Sequence, residues 1–223
     1  RMAPEAPVPV FNPVSTTSNG GMAMNVYNNI KKLFDDVDLH TNENWQKVKK
    51  TRFVEENCNH MFLRFAENDN NYGRININQI DFSKYDAIVV SDYNKGYMSE
   101  EDLRKISLLH NRTFLDTKKI LGEWCKNFTF IKINDKEYQN TKEFLDDDIA
   151  KILIITQGSK GCKHKNKLYT VPLVEVKDVS GAGDTFLAGF SYKFMLTEDV
   201  VESIEFANEC ATKVVQKKGV TTI

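Results

Sequence analysis

The chain has 223 residues, 41% of them hydrophobic, which is enough for one domain with a substantial core. Its 30 basic and 31 acidic side chains give a formal net charge of −1, and no basic stripe or interleaving of basic and aromatic residues indicates nucleic-acid binding. The longest apolar runs have the length of strands, and the N-terminus lacks the apolar core of a signal peptide. We therefore expect a cytoplasmic protein without a membrane-bound segment.

Strands and helices alternate along the chain, which predicts an α/β fold with a mostly parallel sheet. Residues 8–14 and 52–65 are extended or alternating segments that precede this alternation. From residue 81 onward, short apolar runs predict buried strands at 87–90, 128–133 and 152–155, with a further strand at 167–171. No internal repeat or long linker divides the chain, so we predict a single domain over residues 1–223.

Residues 178–184 read Asp-Val-Ser-Gly-Ala-Gly-Asp and run directly into a helical segment. Because Gly181 and Gly183 have no Cβ, backbone N–H groups can approach an anion there, and the positive end of the helix dipole favours charge. Such amides would hold a transferring phosphoryl group, and Asp184 could accept the proton of an attacking hydroxyl. A Gly-rich turn with Asp184 as the helix cap is the structural alternative.

This loop resembles the C-terminal signature of the ribokinase-like (PfkB) family of sugar kinases. The resemblance implies that Gly181, Ala182 and Gly183 line an anion hole and that Asp184 is the catalytic base, while Ser180 stands where that family more often has Thr. P-loop and Rossmann motifs are absent from the sequence. The resemblance implies a three-layer α/β/α sandwich with a mostly parallel central sheet and a small β-lid.

Two other stretches resemble the kinase domain of bacterial heptose 7-phosphate kinases, which prepare ADP-heptose for lipopolysaccharide. They are residues 1–10, Arg-Met-Ala-Pro-Glu-Ala-Pro-Val-Pro-Val, and residues 91–96, Ser-Asp-Tyr-Asn-Lys-Gly. Taken alone, the first is also a Pro-interrupted edge strand and the second a strand followed by a turn. Their order relative to the Gly-Ala-Gly-Asp loop favours the family interpretation.

The resemblance implies a sugar site that includes the glycines Gly20 and Gly21 and the amide of Asn25. A plain loop before a helix explains these three residues about as well. Lys95, and Lys118 in the stretch Asp-Thr-Lys, would belong to the substrate site, where Lys118 could balance phosphate charge. A solvated loop lysine is the alternative for Lys118.

The resemblance also implies a site for ATP as co-substrate with Mg²⁺. Its residues would be Asn134, Glu137, Thr156, Gly158, Gly161 and Asn208, with Glu137 holding the metal through water.

Each group in this ATP site has a structural alternative. Asn134 and Glu137 have the spacing of a helix capping box. Thr156, Gly158 and Gly161 could form a hairpin turn into residues 167–171. Asn208, expected near the adenine, could equally be a buried and satisfied core residue.

The implied lid strands lie within about residues 1–15 and 51–66, and the nucleotide-binding core within about 81–223. An exposed lid edge is a ready surface for a homodimer. The resemblance begins inside a motif at Arg1, so we expect the family's first strand, with an Asp that helps hold the sugar, to be missing. Residues 30–50 are shorter than their counterpart by about one strand-helix unit.

Four cysteines occur, and Cys58-x-His60 and Cys162-x-His164 together offer enough ligands for a tetrahedral zinc. Their spacing is not that of a familiar zinc finger or ribbon, and Cys125 and Cys210 stand apart. We therefore expect reduced thiols instead of a zinc site.

These observations predict an ATP-dependent sugar kinase that phosphorylates a sugar phosphate, with heptose 7-phosphate as the acceptor that the resemblance implies. Asp184 would be the base, the amides of residues 181–183 would stabilise the transferring group, and Asn134 and Glu137 would organise the metal. The alternatives are a related kinase for another sugar or a nucleoside, and a non-catalytic nucleotide- or sugar-binding remnant of the fold.

Overall fold

The structure is a computed structural model, and it describes residues 2–55, 60–69 and 73–223. Its strands are β1 (Lys49–Val54), β2 (Met61–Glu67), β3 (Ile88–Asp92), β4 (Thr113–Thr117), β5 (Phe130–Asn134), β6 (Leu153–Thr156), β7 (Cys162–His164) and β8 (Lys167–Tyr169). Its helices are α1 (Met22–Leu33), α2 (Glu100–Leu109), α3 (Asp135–Thr141), α4 (Asp147–Ile152), α5 (Ala182–Thr197) and α6 (Val200–Val215). Short 3₁₀ helices lie at Trp45–Lys47, Ile77–Gln79, Phe82–Lys84, Glu123–Cys125, Lys142–Phe144 and Gly158–Lys160.

The central sheet has six strands in the order β3-β4-β5-β6-β7-β8. Strands β3 to β6 run parallel, whereas β7 and β8 are added antiparallel at one side. The predicted α/β fold with a mostly parallel sheet is confirmed. In a parallel sheet the carboxyl ends of the strands lie at one edge, and ligands bind there in open α/β folds.

Both faces of the sheet are covered, as the predicted three-layer arrangement requires. Alternate residues of a strand point to opposite faces, so Ile131 and Ile133 of β5 join a core beneath α2 and α4, while Phe130 packs on the other side. That other side is closed by α1, α5 and α6, with Phe186 and Ile204 buried in its core. Central strands covered on two faces read as nearly continuous apolar runs, which is the pattern seen in the sequence.

Helix α5 is the element that positions the predicted base. Its residues from Asp184 to Ser191 are all buried, because it packs between the sheet and α6. At Gly189 the two helices come so close that an added Cβ would lie 3.2 Å from Sγ of Cys210. This packing holds α5 in place, and with it the Gly-Ala-Gly-Asp segment at the N-terminus of the helix.

Strands β1 and β2 form a separate antiparallel ribbon, in register from Lys49↔Glu67 to Val54↔Met61 with one irregularity near Val54. The prediction of a strand within residues 1–15 is wrong. The described residues 2–15 contain only one isolated bridge, between Met2 and Pro9. Prolines in this segment lack the N–H that a ladder needs, which explains the difference. Arg1 lies outside the described residues, and a lid function of the ribbon stays a prediction.

Between α1 and β1 the described chain contains the 3₁₀ helix Trp45–Lys47 and no strand. Within the described residues, no helix combines the length and the apolar character needed to cross a membrane.

Candidate active site

Several predicted site residues, together with Tyr93, lie at the carboxyl edge of the parallel strands. Tyr93 and Lys118 follow β3 and β4, Asn134 ends β5 and Thr156 ends β6. The N-terminus of α5, with Asp184, lies over the same edge, since Tyr93 is hydrogen-bonded to it. Residues separated by more than ninety positions in the chain therefore share one site.

Asp184 is buried, and both of its carboxylate oxygens accept hydrogen bonds from side chains. Nδ2 of Asn25 donates to Oδ2 at 3.0 Å, and the hydroxyl of Tyr93 donates to Oδ1 at 3.2 Å. Burial raises the pKa of Asp184, while the Asn25 hydrogen bond and the positive charge of Lys132 oppose that rise. Asp184 is thus a fixed carboxylate whose proton affinity is higher than that of an ordinary aspartate, which suits general-base chemistry.

Tyr93 is not one of the predicted site residues, although it lies in the stretch 91–96 that resembles heptose kinases. Burial, and then the negative charge of Asp184, raise its pKa well above the ordinary value for a phenol. Tyr93 therefore keeps its proton and remains a hydrogen-bond donor to Asp184.

The glycines of the loop make room for two side chains. Gly181 has a φ of +83°, and a Cβ there would lie 2.6 Å from Nδ2 of Asn25. At Gly183 a Cβ would lie 2.7 Å from Nζ of Lys132. The N–H of Ala182 donates to the carbonyl of Val179 at 3.3 Å, so this amide of the predicted anion hole already has an acceptor.

Lys132 and Asp116 form an ion pair that the sequence interpretation missed. Their Nζ and Oδ2 atoms are 2.7 Å apart, and the two residues are direct partners in the parallel pairing of β4 with β5. Burial works against the charge on Lys132, but attraction to Asp116 and the hydrogen bond between them outweigh it, so the pKa of Lys132 is raised. The sequence feature that could have indicated this ion pair is the position of Lys132 between Ile131 and Ile133 in a strand predicted to be buried.

The two lysines predicted for the substrate site have different surroundings. The ammonium of Lys118 lies 4.0 Å from the centre of the Tyr93 ring, next to the base. That of Lys95 pairs with Asp69 at 2.8 Å, and Asp69 also pairs with Lys50 of β1 at 3.0 Å. Lys95 therefore links the loop after β3 to the ribbon, and Lys118 is the lysine that the fold brings to Asp184.

Gly20 and Gly21 precede α1, and Gly21 is its N-cap residue with a φ of +57°. The N–H of Gly21 donates to Oδ1 of Asn19 at 3.0 Å, and its carbonyl accepts from the N–H of Asn25 at 3.0 Å. Of this predicted sugar motif, the amide of Asn25 is the part that reaches Asp184. The motif is thus a helix start that also positions one side chain of the site.

Asn134 and Glu137 form the capping box of α3. The N–H of Glu137 donates to Oδ1 of Asn134 at 2.9 Å, and the N–H of Asn134 donates to Oε2 of Glu137 at 2.8 Å. Within the residues that the structure describes, no group of three or more His, Cys, Asp or Glu side chains is arranged to hold a metal. The structural alternative is confirmed, and the metal role of Glu137 stays a prediction.

A surface cleft lies between the ends of β5 and β6 and contains predicted ATP residues. Its lining is formed by Asn134, Asp135, Lys136, Thr156, Gln157, Gly158 and Lys160. The hydroxyl of Thr156 donates to the carbonyl of Ile133 at 3.3 Å, which joins the two strands at this point.

The turn after β6 is a hairpin turn, but it leads into β7 and not directly into residues 167–171, and β8 follows as the next antiparallel strand. Gly161 has a φ of +91°, and a Cβ there would lie 2.0 Å from the carbonyl oxygen of Tyr169, so that only glycine fits. The N–H of Gln157 donates to the carbonyl of Gly161 at 2.7 Å and closes the turn. Gly158 begins the short 3₁₀ helix inside this turn.

Asn208 is buried on α6, and its Nδ2 donates to the carbonyl of Tyr169 at 3.2 Å. This contact ties the hairpin of β7 and β8 to α6, as expected for a satisfied core asparagine. A contact with adenine stays a prediction.

Cys125, Cys162 and Cys210 are free and buried, and burial raises their pKa values to about 11, 12 and 11. Nδ1 of His164 lies 2.9 Å from the carbonyl oxygen of Leu153. Cys58, the fourth cysteine of the zinc hypothesis, lies outside the described residues.

The solved structures that superpose on this chain include two kinases. Ribokinase from Thermotoga maritima superposes with a TM-score of 0.59 at 16% identity, covering 78% of this chain and 64% of that chain. The nucleoside kinase of Methanocaldococcus jannaschii, an archaeal member of the ribokinase family, superposes with a TM-score of 0.53 at 21% identity, covering 78% and 62%. At these identities the superpositions show the ribokinase-like fold alone.

Sequence comparison also finds similarity to carbohydrate kinases. Residues 121–223 match the pfkB family carbohydrate kinase model. The bifunctional protein HldE of Sulfurimonas denitrificans is 27% identical over 280 residues, and that of Helicobacter acinonychis is 26% identical over 274. These alignments cover 100% and 98% of this chain but 58% and 59% of the relatives, so the chain spans little more than half of their length. The C-terminal part of the chain, residues 121–223, is thus similar to the pfkB family of carbohydrate kinases.

Proposed function

We propose that the chain is an ATP-dependent sugar kinase that transfers the γ-phosphoryl group of Mg·ATP to a hydroxyl of a sugar phosphate. The observation that carries this proposal is the state of Asp184. It is a buried carboxylate at the start of α5, held by Asn25 and Tyr93, beside a glycine loop at the carboxyl edge of a parallel sheet. The match of residues 121–223 to the pfkB family carbohydrate kinase model supports the same chemistry.

In the proposed reaction an acceptor hydroxyl oxygen forms a bond to the γ-phosphorus, and the bond from that phosphorus to the bridging oxygen breaks. The bridging oxygen leaves as part of ADP with the electron pair, and Asp184 takes the hydroxyl proton. The donors Asn25 and Tyr93 hold the two carboxylate oxygens, so the base meets its substrate in one orientation. Because burial raises the pKa of Asp184, the carboxylate is a stronger base than an exposed aspartate.

We assign the nucleotide to the cleft between β5 and β6, which Asn134, Thr156 and Gly158 line. Lys136 and Lys160 in the same lining add positive charge suited to a polyphosphate. The carboxylate of Glu137 is of the oxygen-ligand type that Mg²⁺ prefers, and one of its oxygens already serves the α3 cap, so it would hold the ion through water. The bound metal would neutralise charge on the phosphates.

For the acceptor we propose D-glycero-D-manno-heptose 7-phosphate, as in the synthesis of ADP-heptose. Support comes from the resemblance of residues 1–10 and 91–96 to heptose kinases and from relatives named as bifunctional protein HldE. Lys118, placed beside Tyr93 and the base, is the cation that we assign to the acceptor's phosphate. Lys95, which pairs with Asp69, would order the loop next to it.

We further propose that the ribbon of β1 and β2 joins two copies of the chain. Both strands are exposed along nearly their whole length, although they carry many large apolar side chains. Those about half exposed are Phe53, Val54, Met61, Phe62, Leu63 and Phe65. An apolar ribbon of this kind is typical of an interaction surface, and a second copy would bury it and pair its free edges.

The test of the kinase proposal is ADP release from Mg·ATP across heptose 7-phosphate, hexoses, hexose phosphates and nucleosides. We expect turnover with heptose 7-phosphate, and Asp184→Asn should lower kcat by about two to four orders of magnitude with ATP affinity nearly unchanged. Asp148→Asn, a change at an exposed aspartate on α4, is the matched control and should be neutral.

Each outcome of this panel has a separate meaning. Full activity of Asp184→Asn would remove Asp184 from its role as the base. Turnover with another acceptor alone would replace heptose phosphate by that acceptor. ATP binding with no turnover across the panel would identify a non-catalytic binding module, and no ATP binding would refute the kinase proposal.

A further inference from the structure

Lys132 is a buried cation to which the proposed reaction has assigned no task. It is 6% exposed and lies near the carboxyl end of β5, directly beneath the first turn of α5. Its Nζ is 2.7 Å from Oδ2 of Asp116 and 2.7 Å from the point where Gly183 would carry a Cβ. The ammonium therefore lies against the backbone of the glycine loop.

The charge of Lys132 acts on the groups that the reaction uses. Besides Asp116, the carboxylates of Asp184 and Glu137 attract its ammonium, and in turn Lys132 opposes the rise in the pKa of Asp184. A buried ion pair contributes little to stability compared with apolar side chains of the same volume, so stability alone is a weak reason for a lysine at this position. Its location beside the loop and the base indicates a role in the reaction.

Building on the proposed phosphoryl transfer, we propose that the Lys132 ammonium is a catalytic cation of the glycine loop that binds an oxygen of the transferring phosphoryl group. Asp116 is its positioning residue. Negative charge on the phosphoryl oxygens spreads during transfer, and a fixed positive charge in a water-poor site stabilises it without reorganisation. Lys132 keeps its proton throughout, because the hydroxyl proton goes to Asp184 and the electron pair of the broken bond leaves with ADP.

The strand pairing explains how this cation is held in place. Asp116 and Lys132 are register partners on β4 and β5, two neighbouring strands inside the sheet. Groups on paired strands keep their geometry better than groups on loops. Gly183 completes the arrangement, because its missing side chain lets the ammonium reach the loop.

The first test compares binding of Mg·AMP-PNP, a non-hydrolysable ATP analogue, with binding of Mg·ADP by titration calorimetry. Lys132→Met should weaken the analogue by about ten- to a hundredfold more than ADP, the usual effect of losing a hydrogen bond to a charged group. It should also lower kcat by about 10²- to 10³-fold. Lys151→Met is the matched control, since Lys151 is an exposed α4 lysine that pairs with Asp148 at 2.8 Å, and it should change neither quantity.

A double variant, Lys132→Met with Asp116→Asn, separates catalysis from folding because it removes both charges of the buried pair. We expect it to fold and to remain as slow as Lys132→Met. In Lys132→Met alone the acid limb of the kcat–pH profile should move to higher pH, because Asp184 loses a positive neighbour that lowers its pKa. The double variant should show a smaller shift, because it also removes the charge of Asp116, which raises that pKa.

Three results would overturn the inference. Equal weakening of AMP-PNP and ADP, or no weakening of either, would refute the phosphoryl contact while leaving the kinase proposal in place. Recovery of turnover in the double variant would show that Lys132 only supports the fold. Failure of the unaltered protein to bind either nucleotide would refute the kinase proposal and the inference with it.

Discussion

Gly183→Ala tests whether this glycine is required because it makes room for the Lys132 ammonium. The added Cβ would lie 2.7 Å from Nζ, whereas an ordinary contact needs about 3.5 Å, so the ammonium must move by about 0.8 Å. Such a shift weakens the 2.7 Å bond to Asp116, of a type worth about 1.5–3 kcal/mol. Alanine's better helix propensity offsets up to about 1 kcal/mol of this loss.

We therefore expect the free energy of unfolding to fall by about 1–2 kcal/mol and Tm by about 2–8 °C, measured by thermal unfolding. Gly122→Ala is the matched control, because a Cβ at that position would lie 3.8 Å from Cδ1 of Trp124, an ordinary contact. In a Lys132→Ala background the obstructing ammonium is absent, so Gly183→Ala should cost almost nothing. An equal loss of stability in both backgrounds would refute this reasoning.

Two further predictions concern stability and assembly. Burial raises the pKa of Asp184 above 3.8. The protonated carboxyl therefore stabilises the fold fully at pH values below 3.8, and this stabilisation is lost as the pH rises through the raised pKa. The Asp184→Asn variant cannot ionise at this position. It should therefore unfold at a higher temperature than the unaltered protein at pH 7 and at a similar temperature near pH 3. A lower Tm of the variant at pH 7 would contradict the burial argument. Sedimentation equilibrium should show that the unaltered protein is a dimer. The double variant Leu63→Lys/Phe65→Lys on β2 should be a monomer, whereas Leu108→Lys on α2 should remain a dimer. A monomeric unaltered protein would refute the ribbon contact.

Features set by neighbouring residues could be predicted well from the sequence. The capping box of Asn134 and Glu137 and a hairpin turn at Gly161 both form, because the hydrogen-bonded residues are only three and four positions apart in the chain. The strand expected within residues 1–15 does not form in the described residues 2–15, since an extended local conformation does not supply a pairing partner.

The environment of the proposed base depends on contacts across the chain. Asn25 and Asp184 are 159 positions apart, and Tyr93 and Asp184 are 91 apart, yet each pair shares a hydrogen bond. Only the packing of α1 and β3 against α5 brings these groups together. The sequence therefore indicated Asp184 as the base without indicating what raises its pKa.

The local order of glycines, caps and apolar strands was sufficient to predict the α/β fold and to single out the Gly-Ala-Gly-Asp loop, because these signals depend on residues close together in the chain. The ion pair of Asp116 and Lys132 was decided by the tertiary structure, since it depends on the register of two parallel strands and on the burial of both faces of the sheet. An alternating segment such as 130–134 is compatible with an exposed lysine or a buried one. The helix packed on that face makes it buried, and the missing side chain of Gly183 lets its charge reach the loop.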